Sequence, residues 1–278
     1  MKKLYISMVI AAVAGMGLSS CQKSYDPKSY APKLDIGGFT SSNDVAKGSL
    51  VGYWNFNGNL KDSISNSEGV ATGTKFTDAG IKGQALQGAL DSYVLATPGA
   101  GITGLQSFTV TEWINTAPPT VGIIGVFSLA KTDAFWGNID VFIENNSTVD
   151  AAKVRIHIYG GGDDRTFATD GVANLLGKWA NLGFSYDAGT STCKLYVNGS
   201  KVATAKVDNL TGPLAFNHVG KIVFGCVQFQ TTPSQTTATG KQDWASFLTG
   251  QLDEVRVYNK ALTDAEVNAI VKLEGRKK

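Results

Sequence analysis

From residue 50 to residue 258 the chain is written in short runs, most with apolar and polar residues alternating, cut by turns rich in glycine and asparagine. Residues 108–114 read Phe-Thr-Val-Thr-Glu-Trp-Ile, and residues 139–144 and 154–159 alternate with a period of two, the signature of a half-buried strand. Residues 193–197 alternate likewise and stop at Asn198-Gly199, a pair suited to a two-residue hairpin turn. Residues 121–129 and 222–229 are apolar and β-branched, and residues 255–258 supply a last strand. Strands at this spacing, with no helical period between them, predict an all-β sandwich or jelly roll. One helix closes the pattern. Thr263-Asp264-Ala265-Glu266 forms a capping box, Val267, Ile270 and Val271 make the apolar stripe, and Gly275 suits the stop.

The N-terminal pattern is different. Lys2 and Lys3 precede an apolar run over residues 4–18, and Ser19 and Ser20 lead into Cys21. That layout is a secretory signal, too short for a spanning helix. Leu18-Ser19-Ser20-Cys21 resembles the lipobox of bacterial lipoproteins, which implies removal of residues 1–20 and lipidation of Cys21. Acyl chains anchor a protein because each buried methylene contributes about 0.8 kcal/mol. Residues 21–48 hold Pro27, Pro32, Gly37, Gly38 and a Ser-Ser-Asn-Asp run with little apolar periodicity, which predicts a flexible linker before a domain at 49–278. Gln22-Lys23-Ser24-Tyr25-Asp26 loosely resembles the segment that follows the cysteine in surface-exported lipoproteins. The expectation is a lipid anchor in the bacterial outer membrane with the domain at the cell surface.

Composition narrows the partners. The chain has 278 residues, 43% of them hydrophobic, enough for one sizeable core. Without Lys2 and Lys3 it carries 23 basic and 23 acidic residues, so nothing favours nucleic acid. Besides Cys21 only Cys193 and Cys226 remain, and two readings stand side by side: a disulfide of an oxidising compartment, or two buried thiols.

Six segments, in order, resemble laminin-G-like, concanavalin A-like jelly rolls. Residues 50–59 (Leu-Val-Gly-Tyr-Trp-Asn-Phe-Asn-Gly-Asn) followed by Asp62-Ser63 look like the opening strand and loop. Residues 80–86 with Ser92-Tyr93-Val94 resemble the next hairpin, and Ser107-Phe108-Thr109-Val110 with Trp113 the first long core strand. Lys178-Trp179 with residues 184–187, then residues 194–199, resemble the central hairpin pair. Residues 252–259 with Ala261-Leu262-Thr263 and Glu266 look like the closing strand and helix. The resemblance implies a two-sheet antiparallel jelly-roll sandwich with a short C-terminal helix. It also implies a structural Ca2+ site at Asp62 and Asp253, with Glu254 as an alternative ligand. The plainer reading has Asp62 capping its turn and Asp253 pairing with Arg256 or a backbone amide. The fold hosts lectins, adhesion domains and glycosidases, so function rests on the site.

Trp54, Trp113 and Trp179 fall on core positions of that pattern, leaving Trp136 and Trp244 as candidate stacking platforms. Trp244 follows a polar stretch over residues 231–243. Period two turns Ile139, Val141 and Ile143 inward and Asp140, Phe142 and Glu144 outward; the next strand turns Arg155, His157 and Tyr159 outward. One hairpin register sets Glu144 opposite Arg155, Phe142 opposite His157 and Asp140 opposite Tyr159, a polar and aromatic face suited to carbohydrate. The alternative is a solvated face with an ordinary cross-strand ion pair. Related glucanases place Glu, Asp and Glu on alternate positions of one strand, whereas here Phe142 replaces the middle carboxylate. A retaining mechanism needs two carboxyl groups about 5–5.5 Å apart. Asp163-Asp164, beside three glycines, reads as a turn. The leading expectation is non-catalytic carbohydrate binding, with contact to another envelope protein as the alternative and glycoside hydrolysis as the third.

Overall fold

The computed structural model describes residues 35–277, so Cys21, the signal segment and the spacer before residue 35 lie outside it. The strands in chain order begin with β1 (Leu50–Trp54), β2 (Val70–Thr72), β3 (Lys75–Thr77), β4 (Ala85–Gln87), β5 (Tyr93–Ala96) and β6 (Phe108–Asn115). There follow β7 (Ile123–Lys131), β8 (Ile139–Ile143), β9 (Ala152–Gly160), β10 (Asp163–Val172) and β11 (Ala180–Asp187). The last are β12 (Thr192–Val197), β13 (Ser200–Ala205), β14 (Val219–Phe224), β15 (Ala245–Ser246) and β16 (Gln251–Tyr258). One sheet runs β13-β12-β11-β6-β16-β4-β3 with β1 also on β16; the other runs β10-β9-β8-β7-β14-β5-β2 with β15 on β7. Among the described residues every pairing is antiparallel except β15 on β7.

The alternation seen in the sequence builds the core. Phe108, Val110 and Ile114 of β6, with Leu182 and Phe184 of β11, face Ile139, Val141 and Ile143 of β8 and Ile156 and Ile158 of β9. Phe224 collects Trp54, Phe56 and Phe127 edge-on, at ring separations of 5.1, 5.5 and 6.0 Å. Each fully buried aromatic of this kind contributes about 1.5–3 kcal/mol. Cys193 lies in this core and Cys226 in a separate cluster with Tyr93, Val223 and Phe247, both as free thiols. Trp179 departs from expectation: it is half-buried beside Trp113, and its indole donates to the Ala79 carbonyl at 3.0 Å.

A bulge in β16 sets the outer face of the first sheet. Asp253 pairs with Trp113 and Arg256 with Thr111, and Glu254 takes φ 49°. Leu252, Val255 and Val257 then point into the core, while Asp253, Glu254 and Arg256 all point outward. The Arg256 guanidinium is wholly buried over the Tyr53 ring, 3.9 Å from its centre. It bonds Glu254 at 3.1 Å and Glu274 at 2.6 Å. Glu274 closes the helix α1 (Asp264–Glu274) and also accepts the Trp113 indole at 2.7 Å. The expected capping box starts that helix: Thr263 and Glu266 exchange bonds of 3.2 and 2.8 Å.

Arg256 also corrects the linker boundary. It donates to Ser42 at 3.3 Å and Asn43 at 2.8 Å, and Val45 is buried, so the ordered unit reaches back to Asp35 rather than beginning at 49. The segment shows no apolar period because its attachment is largely polar.

Two stability predictions follow from buried charge. Removing one partner of a buried pair strands the other, at a cost of about 3–5 kcal/mol. Glu274→Ala is expected to lower the unfolding free energy by that amount in urea titrations. Glu112 occupies an inward position between Val110 and Ile114, its carboxyl has no hydrogen-bond partner, and burial pushes it up to about 8. Between the ordinary carboxylate range and that value the unfolded chain has lost the proton and the folded chain keeps it. Stability therefore falls as pH rises through this window, by at most about 1.4 kcal/mol per unit from this group. In Glu112→Met that component of the slope should vanish, and unchanged urea midpoint differences between pH 5.5 and 7.5 would contradict the assignment.

Candidate functional site

The outer face of the second sheet carries the residues singled out from sequence. β8 and β9 pair as Asp140 with His157 and Phe142 with Arg155, two residues away from the expected register. The connection is shorter than expected because Glu144 N–H already bonds the Lys153 carbonyl at 2.9 Å. Ser147 fixes this closure, donating to the Glu144 carbonyl at 2.7 Å and accepting from Lys153 N–H at 2.9 Å. An even shift leaves every side chain on its expected face. Glu144 still reaches Arg155 diagonally, at 2.8 Å.

The face is not an open polar and aromatic platform, since Asp140, Phe142 and His157 are buried. Trp136 covers them, stacked on His157 at 4.0 Å and on Phe142 at 5.2 Å. Trp244, 45% exposed, stacks on Phe135 at 6.1 Å and lies 6.1 Å from Trp136. Phe229 fills the space beneath, 5.4 Å from each tryptophan and 4.8 Å from Phe135. The two tryptophans chosen from sequence thus meet in one aromatic shelf.

Buried amides hold the shelf. Gln228 accepts Lys131 N–H at 2.7 Å and donates to the carbonyls of Ala134 and Phe135 at 2.7 and 3.0 Å. Gln230 bonds the Ala245 carbonyl and Gln242 N–H, each at 2.7 Å, so the chain is pinned on both sides of Trp244. Gly122 takes φ 68°, and a Cβ there would lie 2.4 Å from the Trp244 carbonyl oxygen. Asp140 plays a supporting part: it accepts from the Ser128 hydroxyl and from Gly137 N–H at 2.5 Å, next to Trp136. Burial pushes its carboxyl up to about 7.

Charged groups ring the shelf. Arg155 bonds Glu144 and, at 2.7 Å, Asp170; His157 Nδ1 lies 2.6 Å from Asp164. Lys131 bonds Asp133 at 2.7 Å and Asn217 at 2.6 Å, and sits over the Tyr159 ring at 4.4 Å. Tyr159 therefore does not offer the open face expected of it, and its hydroxyl is spent on the Gly162 carbonyl at 2.8 Å. Asp140 and Glu144 serve different partners, one supporting the loop and one neutralising Arg155.

Asp62 and Asp253, which the resemblance implies as calcium ligands, both accept hydrogen bonds from the protein in this structure. Asp62 accepts the amides of Tyr53, Ile64 and Ser65 and the Ser65 hydroxyl, capping its turn. Asp253 accepts the amides of Ile81, Lys82 and Glu254. The two are linked through Tyr53, whose amide donates to Asp62 and whose hydroxyl donates to Glu254 at 2.9 Å, and through Glu254 N–H, which donates to Asp253; among the described residues no group of three or more acids, histidines or cysteines is placed to hold a metal ion.

Sequence reasoning missed Phe135, Phe229, Gln228 and Gln230. Phe135 adjoins Trp136 in the chain, Gln228 and Phe229 end a run read as strand, and Gln230 falls between that run and the polar stretch.

Comparison with known proteins bears on the fold. The binding domain of Paraclostridial Mosquitocidal Protein 1 is similar at 17% identity and TM-score 0.57, over 81% of this chain and 52% of that one. The binding domain of Botulinum neurotoxin DC in complex with rat synaptotagmin II is similar at 16% identity and TM-score 0.58, over 82% and 52%. The same domain in complex with SialylT matches at 16% and 0.58, over 84% and 52%. The chain spans about half the length of each of these, and at such identity they establish fold alone. No curated protein matches the chain. The family model described as concanavalin A-like lectin/glucanases superfamily matches residues 86–268, most of the ordered unit, and the chain belongs to that superfamily.

Proposed function

We propose that this protein is a non-catalytic glycan-binding protein, held through a lipidated Cys21 at the bacterial outer membrane with its jelly roll at the cell surface. The observation that carries the reading is Trp244, a large aromatic ring left 45% exposed while its backbone and neighbours are rigidly fixed. An indole face so placed is suited to the apolar face of a sugar ring, and its order is established before binding. The neighbouring folds whose names record a glycan and a protein ligand support a binding role of either kind. Asp140 is buried against the Gly137 amide and Glu144 is paired with Arg155, roles unlike the two free carboxyl groups that retaining hydrolysis uses. A protein contact is the second reading. It draws on exposed Leu90 and Val121, which flank a cleft with Pro118, Pro119 and Phe247.

Affinity for a single site of this shallow kind is expected to be modest, with avidity from many anchored copies. Pull-down on a panel of insoluble and immobilised polysaccharides tests the proposal. Retention on at least one glycan is expected, and Trp244→Ala should weaken it at least tenfold, about 1.4 kcal/mol. Retention unaffected by Trp244→Ala, or absent across a broad panel, would turn the weight to a protein partner.

A further inference from the structure

Trp244 offers a ligand one indole face. Its other face stacks on Phe135, within 15° of parallel and 6.1 Å between ring centres. Beside it, also 6.1 Å away, the Trp136 ring is tilted by 54°. Trp136 is not free to turn and match. Its plane is set within 5° of Phe142 and 18° of His157, both buried in the sheet beneath it. Phe229, buried below, packs against each indole at 63° and fixes the two planes relative to each other. Among the described residues the one other exposed aromatic side chain is Phe76, at 37%, on β3 at the edge of the opposite sheet. The shelf is therefore a step between two tilted rings, with no third ring to extend either plane.

Stacking on an indole needs the apolar face of a sugar parallel to the ring. The sugars on a crystalline polysaccharide face share one plane. Such a face laid on Trp244 meets Trp136 at 54° and gains no stacking from it. A single hydrated chain turns about each glycosidic bond, so neighbouring sugars can follow two tilted planes in succession. We infer that the shelf takes single, solvated glycan chains, seating one sugar on Trp244 and the next against Trp136, and does not hold crystalline polysaccharide. The inference rests on glycan binding at Trp244 and adds the physical form of the ligand and the number of sugars engaged. Sugars beyond that pair lengthen the chain without adding a platform contact, so they bring no surplus to offset the cost of ordering them.

The test uses the full chain in detergent micelles and paired forms of three polysaccharides, compared at equal accessible surface. The pairs are microcrystalline and amorphous cellulose, crystalline and colloidal chitin, and granular and gelatinised starch. Retention is expected on at least one dispersed form, at least about tenfold above its crystalline partner. Oligosaccharides of the retained polymer then measure the reach by NMR titration. Affinity should rise from monosaccharide to dimer or trimer and change by less than about threefold from there to the hexamer, since no further intramolecular contact is available. Trp136→Phe keeps a ring over His157 and narrows the second platform, and it should weaken the dimer about threefold more than the monosaccharide. Equal or tighter retention on a crystalline form overturns the inference, as does affinity that keeps climbing with each added sugar. Equal losses for dimer and monosaccharide in Trp136→Phe also overturn it. Each of these results leaves glycan binding at Trp244 intact. If no form of the three polysaccharides is retained the inference falls, and an empty wider panel takes the glycan reading with it.

Discussion

The fully buried pair of Arg256 and Glu274 is the contact on which the first sheet's outer face depends. Arg256 is turned outward by the bulge at Glu254, and it satisfies carboxylates from its own strand and from the closing helix. Through Ser42 and Asn43 it also fastens the segment that leads into the domain. Burying such groups is costly, and the elements that cover Arg256 offset part of that cost by supplying partners. The first and last parts of the ordered unit are thereby tied to the same strand, and the first sheet is sealed on the side away from the aromatic shelf.

The second sheet uses its outer face differently. Its inward residues complete the core, while the segment between β14 and β15 folds back over the outward residues and brings Phe229 and Trp244 beside Phe135 and Trp136. Glutamines fix the geometry because a buried amide can satisfy backbone donors and acceptors that no strand ladder reaches. The shelf is thus mounted on a rigid layer, with the Trp244 ring standing out from it.

Much of this was legible in the sequence, for identifiable reasons. Strict alternation in residues 108–114, 139–144 and 154–159 encoded both strand and face, and Asn198-Gly199 takes the positive φ pair its hairpin needs. β10 was not legible, because an edge strand with an exposed outer side carries charged and small residues where a pattern would stand. The β8–β9 register was misplaced by two residues because the turn is closed by the Ser147 side chain rather than by a glycine signal. Trp136 and Trp244 could be chosen individually, since each was an aromatic with no core role in the pattern. Their meeting across more than a hundred residues, and the burial of Asp140 and His157 beneath Trp136, depend on a fold-back that local periodicity does not encode.

The most direct measurement is the indole N–H spectrum of the five tryptophans during titration with a glycan retained by the protein. Each indole has its own surroundings: Trp113 is bonded to Glu274, Trp179 to the Ala79 carbonyl, Trp54 lies in the core, and Trp136 and Trp244 form the shelf. The account requires the Trp244 signal, and to a lesser degree Trp136, to move in a saturable way while Trp54 and Trp113 stay fixed. A saturating titration in which Trp244 does not move, or in which Trp179 alone responds, would place the ligand elsewhere and contradict it.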